Sequence, residues 1–333
     1  MRCKQYIAGL SSVCTKWCAA LIVALGFGPI AWGVEYPTQP VRIIVGFAPG
    51  GGSDIVARVI AQKLTELWGQ SVVVSNRPGA SGIIGAETVA KAPADGYTLL
   101  VSSATSTAVA PSLYSTLPYD VEKDLRIITV IGSTPALLAV NPASPAKTFD
   151  QFITDAKANG QNLFFGGSGI GSTGHLTGEL LNLSANIKAN HVAYKGEPPA
   201  LADLMGGRLS FVFSSLPVVL PLVQSGQLRA LAVTSLKRTP NAPEYPTVSE
   251  SGLPGFESIA WNALYAPMAV PKPIIDHINA SVVKVLAMPD VKKRLGELGI
   301  DIVGNSPGEA HAYLKSETAK WANVIKRANV KAQ

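Results

Sequence analysis

Cysteine is scarce in this 333-residue chain, and charged side chains are few. The three cysteines, Cys3, Cys14 and Cys18, all lie near the N-terminus, so the rest of the chain can form neither a disulfide nor a thiol site. Charged residues make up 15% of the chain and hydrophobic residues 47%. This balance excludes an intrinsically disordered chain and provides enough apolar material for packed cores.

Short motifs of several enzyme classes are also missing. The sequence contains no HExxH, no CxxC, no GxxxxGK[ST] and no GxSxG, the motifs of zinc proteases, thiol redox enzymes, P-loop proteins and α/β hydrolases. Its four histidines, His175, His191, His277 and His311, lack the spacing of a metal site. We therefore expect no metal, and His277 and His311 are expected at the surface.

Two further absences exclude nucleotide and nucleic-acid partners. Residues 169–174 read GxGxxG, but residues 186–192 offer no acid to bind a ribose, so the pattern predicts only a backbone that can approach an anion. Without Arg2, Lys4 and Lys16, basic residues fall from 28 to 25 against 22 acidic ones, and no basic run is present. A small, dispersed positive charge argues against nucleic acid as a partner.

Residues 1–33 have the composition of a secretory signal peptide. Basic residues precede an apolar run from Ala19 to Ala31, and small residues flank the expected cleavage point. The run contains Pro29 and is short for a membrane span, so an uncleaved anchor is the weaker alternative. The prediction is a protein exported to the periplasm.

The stretch from Val41 to Leu67 organises the next part of the chain. An apolar strand runs into Pro49 and three glycines, and apolar residues at helical spacing follow Ser53 and Asp54. Glycines let backbone N–H groups approach a ligand, and a helix start favours an anion, so half of a carboxylate site is one interpretation. An ordinary turn capped by the Ser53 side chain is the other.

Strands and helices alternate along the remaining chain, which predicts an α/β fold with mostly parallel sheets flanked by helices. Residues 163–183 repeat the plan of strand, glycine turn and helix. Two extended apolar stretches, residues 127–141 and 258–267, are interpreted as crossings between two lobes. The predicted division is residues 34–133 and 258–333 in a discontinuous lobe 1, and residues 134–257 in lobe 2.

Six stretches, in this order, resemble one known family: GFAPGGGSDIVAR, NRPGASGIIGAETVAKAPADGYTLL, GGSGIGSTGHLTGELL, HVAYKGEPPALADLMGGRL, LRALAVTS and YPTVSESGLPGFES. The chain is thereby similar to the periplasmic substrate-binding receptors of tripartite tricarboxylate transporters, also called the Bug family. The resemblance implies a two-lobed, flytrap-like receptor without catalysis or cofactor. It further implies that a small organic carboxylate is held in a cleft between the lobes and delivered to an integral-membrane permease. We expect a monomer.

The family's ligand-binding positions carry over onto five stretches of this sequence. They are Phe47, Ala48, Gly51, Gly52, Ser53 and Asp54; Ser102, Thr105 and Ser106; Ser168, Gly169, Ser172, Thr173 and His175; Tyr194, Lys195 and Gly196 with Asp203; and Ser214.

Ser214 and the return crossing depart from the family pattern. Family members often read VDLMFD where this chain reads LSFVFS, so serines replace both acids. Because a carboxylate at position 214 would suit an ammonium group, its absence suggests a ligand without a cationic amine. Trp261, Asn262 and Ala263 replace the usual aromatic-glycine ending, which leaves the contribution of that crossing open.

Two other functions stay open at this point. A secreted α/β hydrolytic enzyme acting on a small acid or ester would use Ser168 or Ser172 as nucleophile and His175 or His191 as base, because fold alone does not determine activity. A receptor that senses a ligand and feeds a signalling partner would share the same binding site.

Overall fold

The computed structural model describes residues 35–159 and 162–332 of the chain. The predicted signal peptide, residues 1–33, lies outside the described residues. Within these ranges no helix combines the length and the apolar character that crossing a membrane requires.

Strands and helices alternate along the described chain, as the sequence predicts. The strands are β1 (Val41–Val45), β2 (Val72–Asn76), β3 (Thr98–Ser103), β4 (Leu125–Val140), β5 (Leu163–Gly167), β6 (Ala189–Ala193), β7 (Phe211–Ser215), β8 (Arg229–Val233), β9 (Ile259–Pro267) and β10 (Asp301–Ile302). The α-helices are α1 (Gly52–Trp68), α2 (Ile83–Ala90), α3 (Ala110–Leu113), α4 (Val121–Asp124), α5 (Phe149–Asn159), α6 (Thr173–Ala185), α7 (Glu197–Met205), α8 (Leu216–Gln224), α9 (Lys272–Leu286), α10 (Pro289–Gly296) and α11 (Pro307–Arg327).

The strands form two parallel groups. In the first group β1 lies between β2 and β3, with Val41 opposite Val72 and Ile43 opposite Leu99. In the second group β5 lies between β6 and β7, with Phe165 opposite Phe211. Since neighbouring strands are parallel, the carboxyl ends of each group share one edge of the sheet, where ligands bind in α/β proteins.

Two long strands join these groups, and all their pairings are antiparallel. β9 pairs with β3 and with the first half of β4, while the second half of β4 pairs with β7 and β8. Register shifts occur in β4 near Thr129 and Gly132, and such bulges bend a strand. The two predicted crossings are therefore strands of one mixed sheet, and the predicted α/β class is confirmed.

Apolar side chains cover both faces of the second group. On β7, Phe211 and Phe213 belong to a cluster with Phe149 and Phe165, while Val212 between them belongs to a separate cluster under α7 and α8. This alternation follows from the two-residue period of a strand. A third cluster, which includes Trp261 of β9, lies under α2 and α11. These packed clusters on the faces of the sheet keep the ends of its strands in fixed positions.

Candidate functional site

The first glycine loop, residues 46–52, connects β1 to α1 and is open on the outside. A Cβ atom built on Gly52 would have no heavy atom within 4 Å, and one on Gly51 would meet only the Ala48 carbonyl oxygen at 3.5 Å. The N–H groups of Gly52, Ser53 and Asp54 have no acceptor among the described residues. They lie in the first turn of a 17-residue helix, the position that attracts an anion.

Asp54 holds this loop in shape from within. Its carboxylate accepts hydrogen bonds from the Gly50 N–H at 2.9 Å, the Arg58 Nε at 2.9 Å and the Asn76 amide at 2.8 Å. The side chain is buried, and the hydrogen bond from Arg58 contributes most to lowering its pKa to about 2. All these partners belong to the protein, so Asp54 positions the loop and neutralises Arg58.

Ser53 does not cap α1 through its side chain. The N-cap is Gly51, which makes no side-chain bond, and the Ser53 hydroxyl donates to the Asn262 side-chain oxygen on β9. The prediction of a Ser53 side-chain cap is therefore wrong. Because Asn262 lies 209 residues away in sequence, the contact depends on the pairing of β9 with β3. Asn262 thus joins the candidate site, although the sequence left the contribution of its crossing open.

Hydroxyl groups gather where β3 ends. Ser102 and Ser106 are fully buried and bond to each other through their hydroxyls, and the Ser106 carbonyl accepts the Tyr119 hydroxyl at 2.7 Å. Thr105 begins a π-helical turn, residues Thr105–Val109, a geometry frequent at functional sites. The buried Ser103 hydroxyl has no partner among the described residues, so it is available to a ligand or a water.

Phe47 and Ser106 both lie close to Gly82. A Cβ at Gly82 would lie 3.0 Å from the Phe47 ring and 3.2 Å from the Ser106 hydroxyl oxygen, and its φ of +92° strains other residues. The close approach joins the first glycine loop to the hydroxyls after β3. Ala48 lies exposed beside Phe47 on the same loop.

The second glycine loop, residues 168–172, connects β5 to α6 in the same manner. Its Gly169 has a φ of +122° and no heavy atom near the position of a Cβ. The N–H groups of Gly169, Thr173 and Gly174 have no acceptor among the residues that the structure describes. Ser168 is exposed next to them. This loop, like the first, presents unpaired donors at a helix start.

His175 and His191 stack beneath the second loop. Their ring centroids are 3.7 Å apart, and the planes are 11° from parallel. The Gly171 N–H donates to the His175 Nδ1 at 3.0 Å, so this neutral imidazole serves as an acceptor that shapes the loop. Burial lowers the pKa of both histidines to about 4, and for His175 the neighbouring His191 adds to the effect. The buried His191 Nε2 has no partner among the described residues.

The serines and histidines that the hydrolytic alternative would use as nucleophile and base are not hydrogen-bonded to each other through their side chains. The Ser172 hydroxyl accepts the backbone N–H of His175 as the N-cap of α6. Among the described residues, neither the Ser168 nor the Ser172 hydroxyl bonds to an imidazole. The arrangement is a helix cap and a loop support, since an activated nucleophile needs a base within hydrogen-bond reach.

Tyr194 and Asp203 bind each other. The Tyr194 hydroxyl donates to Asp203 at 2.7 Å, and Arg208 donates to the other carboxylate oxygen. Burial and the hydrogen bond to Asp203 raise the pKa of Tyr194 to about 12. Lys195 is exposed, and Gly196, with a φ of +111°, leads the chain into α7. Within this predicted segment the Tyr194 N–H donates to the Gly167 carbonyl at 2.9 Å, so Lys195 and the N–H groups of Lys195 and Gly196 stay available.

Glu197 lies at the candidate site, and the sequence analysis did not single it out. It begins α7 directly after Gly196, and its Oε2 accepts hydrogen bonds from the hydroxyls of Ser214 and Ser215 and from the Ser215 N–H. A carboxylate therefore lies beside buried Ser214 after all. The reasoning that serine at position 214 leaves this place without an acid is overturned.

The structure thus joins the predicted residues into two groups. The first glycine loop and the hydroxyls after β3 form one group at the ends of β1 and β3. The second loop, residues 194–197 and Ser214 form the other at the ends of β5, β6 and β7. Leu113 of α3 lies against the second loop, because a Cβ on Gly171 would lie 2.4 Å from its Cδ2.

Solved structures and curated relatives identify this architecture. "R. palustris Rpa4515 with adipate" is 38% identical with a TM-score of 0.76, covering 89% of this chain and 99% of that one. MatC from Rhodopseudomonas palustris with bound malate is 31% identical with a TM-score of 0.72, covering 87% and 100%. Protein BugT of Bordetella pertussis is 37% identical over 297 residues, 89% of this chain and 91% of the relative. The fold is that of a periplasmic binding protein.

One family model covers most of the chain. The model described as "Tripartite tricarboxylate transporter family receptor" matches residues 56–330. The chain belongs to this family of solute-binding receptors, which confirms the resemblance seen in its six sequence stretches.

Proposed function

We propose that this chain is a periplasmic receptor that binds a small organic carboxylate between its two glycine loops and delivers it to a membrane permease. The observation that carries the proposal is the pair of helix starts, α1 and α6, whose first N–H groups have no acceptor among the described residues. Such donors can replace the water around a carboxylate. The site residues carried over from the family remain part of this proposal.

Hydrogen bonding alone is enough for recognition of the acid. Arg58 is engaged by Asp54, so the first loop offers no free guanidinium, and its donors are backbone N–H groups. The Ser103 hydroxyl and the exposed Lys195 add donors at the edge of the sheet. The relatives' structures with adipate and malate support a carboxylate as the ligand class.

We further propose that the two strand groups act as lobes, with residues 34–133 and 258–333 in one and residues 134–257 in the other. The strand pairing supports this division, because β1, β2, β3 and β10 pair only on one side of it and β5 to β8 only on the other. β4 and β9 would serve as the hinge. A ligand that contacts both glycine loops would stabilise a closed state.

The same proposal includes a non-catalytic monomer without cofactor or metal, exported by a signal peptide at residues 1–33. No group of three or more His, Cys, Asp or Glu side chains able to hold a metal occurs in the part of the chain that the structure describes. N-terminal sequencing of the protein recovered from the periplasm tests the export, with a start near Val34 as the expected result.

Binding is tested with the exported protein and a panel of mono-, di- and tricarboxylates, aliphatic and aromatic. A ligand at one hundred times its Kd should stabilise the fold by about 2.7 kcal/mol. Mass spectrometry of the recovered acid should show it unchanged. Conversion of the acid with turnover, or a panel without any thermal shift, would overturn the proposed function.

A further inference from the structure

Glu197 has a carboxylate oxygen without a partner and lies beside two candidate ligand contacts, directly after Gly196 in the sequence and bonded to Ser214. Its Oε2 takes all three hydrogen bonds from Ser214 and Ser215, and Oε1 has no partner among the described residues. Glu197 follows Gly196 at the end of β6, while Ser214 and Ser215 end β7. The carboxylate therefore lies at the strand edge that also carries the second glycine loop.

The three bonds give this side chain one orientation. The Ser215 N–H donates at 3.1 Å and the Ser215 hydroxyl at 3.0 Å, so one backbone and two side-chain donors hold the same oxygen. Ser214 is buried and Ser215 half-buried, which keeps the anchoring side of the carboxylate away from bulk water. A charged acceptor in a fixed position discriminates strongly between ligands that do and do not offer it a donor.

We propose that Glu197 selects acids that carry a hydrogen-bond donor, a hydroxyl or an ammonium group, in addition to the carboxylate held by the glycine loops. The inference rests on the proposed function and deepens it by naming the ligand class. A plain dicarboxylate would instead bring a second negative charge towards Glu197, which costs binding energy. Glu197 from α7 supplies the acid that Ser214 does not.

Glu197→Gln separates this role from a purely structural one. The glutamine oxygen can still accept the bonds from Ser214 and Ser215, so the start of α7 stays attached to the end of β7. The amide nitrogen then replaces Oε1 and presents donors where the wild-type protein presents an acceptor. A structural role predicts equal effects on all ligands, whereas a selecting role predicts that the preference for an ammonium-bearing acid is lost.

Isothermal titration calorimetry on the full exported protein tests the proposal with three matched sets of acids. The sets are succinate, malate and aspartate; adipate, 2-hydroxyadipate and 2-aminoadipate; and 3-phenylpropanoate, 3-phenyllactate and phenylalanine. In the set that binds, the wild-type protein should bind a donor-bearing acid about tenfold or more tightly than the plain acid. Glu197→Gln should bring the ratio for the amino acid to one or below, and it should lower the ratio for the hydroxy acid by a smaller factor because a hydroxyl can also accept from the amide.

Glu244→Gln is the matched control, because it makes the same exchange at an exposed position outside the site. It should keep the wild-type ratio. Ser214→Ala, which removes one anchor, should lower the ratio by a smaller factor than Glu197→Gln. A ratio that Glu197→Gln leaves unchanged, or a wild-type preference for the plain acid, overturns the inference while leaving carboxylate binding in place. Failure of every acid in this and the wider panel overturns the proposed function itself.

Discussion

Lowering the pH from 7 to 5 should destabilise the native state through His175 and His191. Each has a native-state pKa of about 4, mainly because of burial, against about 6.5 in an unfolded chain. Between these values the unfolded state binds more protons, so stability is full above about pH 6.5 and falls as the pH drops towards 4. No loss from this pair is expected between pH 8 and 7.

The size of the effect follows from the two pKa values. A group with these values loses about 2 kcal/mol of stability between pH 7 and pH 5. His175 is 5% exposed and should contribute nearly all of this, whereas His191 is partly exposed and should contribute less. The pair together should cost about 3 kcal/mol, a large part of the stability of an ordinary domain.

Acidic residues alter the total loss of stability between pH 7 and pH 5, but they do not alter the difference in that loss between the wild-type protein and a histidine variant. Burial raises the pKa of Glu179, whose carboxylate lies 3.8 Å from the His175 Nε2, so Glu179 opposes part of the loss. Asp54, with a pKa of about 2, loses its contribution below about pH 4 and lies outside the window. A variant that removes one imidazole and keeps both acids isolates the histidine contribution.

Urea unfolding of the ligand-free protein, followed by circular dichroism at pH 7 and pH 5, measures the difference. His191→Phe keeps an aromatic ring beside His175 and Phe165 and should lose about 1 kcal/mol less stability than the wild-type protein. His311→Gln removes an exposed histidine and should retain the wild-type loss. A wild-type loss below about 1 kcal/mol, or identical losses in the wild-type protein and His191→Phe, would refute the reasoning.

Three further predictions concern the loops. Gly52→Val should weaken carboxylate binding about tenfold or more in calorimetry by covering the first loop, whereas Gly308→Val, also in the first turn of a helix and equally open, should not. Gly171→Ala should lower the free energy of unfolding by about 1 to 3 kcal/mol, because φ is +76° and its Cβ would meet Leu113. Adding Leu113→Ala should not restore wild-type stability, since the backbone strain at position 171 remains. Asp54→Ala should cost about 1 to 3 kcal/mol in urea unfolding at pH 7 and reduce the acid-dependent loss between about pH 4 and 2 by the contribution of Asp54. Equal stability would assign the loop geometry to other contacts.

Local patterns predicted most of the strands and helices. The apolar run before Pro49 and the helical spacing after it correspond to β1 and α1, and residues 258–267 correspond to β9. The sequence analysis did not single out helix α7, although the two prolines after Glu197 fit the first turn of a helix. The predicted division into two lobes remains a prediction.

Side-chain partners were less predictable than the elements that carry them. Serine is a residue type that often caps helices, yet the Ser53 hydroxyl bonds to Asn262, 209 residues away on strand β9. Asp203 was placed behind the wall formed by residues 194–196, and the structure gives its carboxylate two partners, Tyr194 and Arg208. In each case the local sequence allows several hydrogen bonds, and packing selects one.

The sequence by itself determined the α/β alternation, the two glycine loops and the family, because strand period, helix period and glycine turns depend on residues close together in the chain. Only the tertiary structure decided which polar groups remain available. The pairing of β9 with β3 assigned Ser53 to Asn262, and the meeting of α7 with β7 turned Glu197 towards Ser214. A side chain's partner is set by distances through space, and those follow from strand order and register rather than from any local pattern.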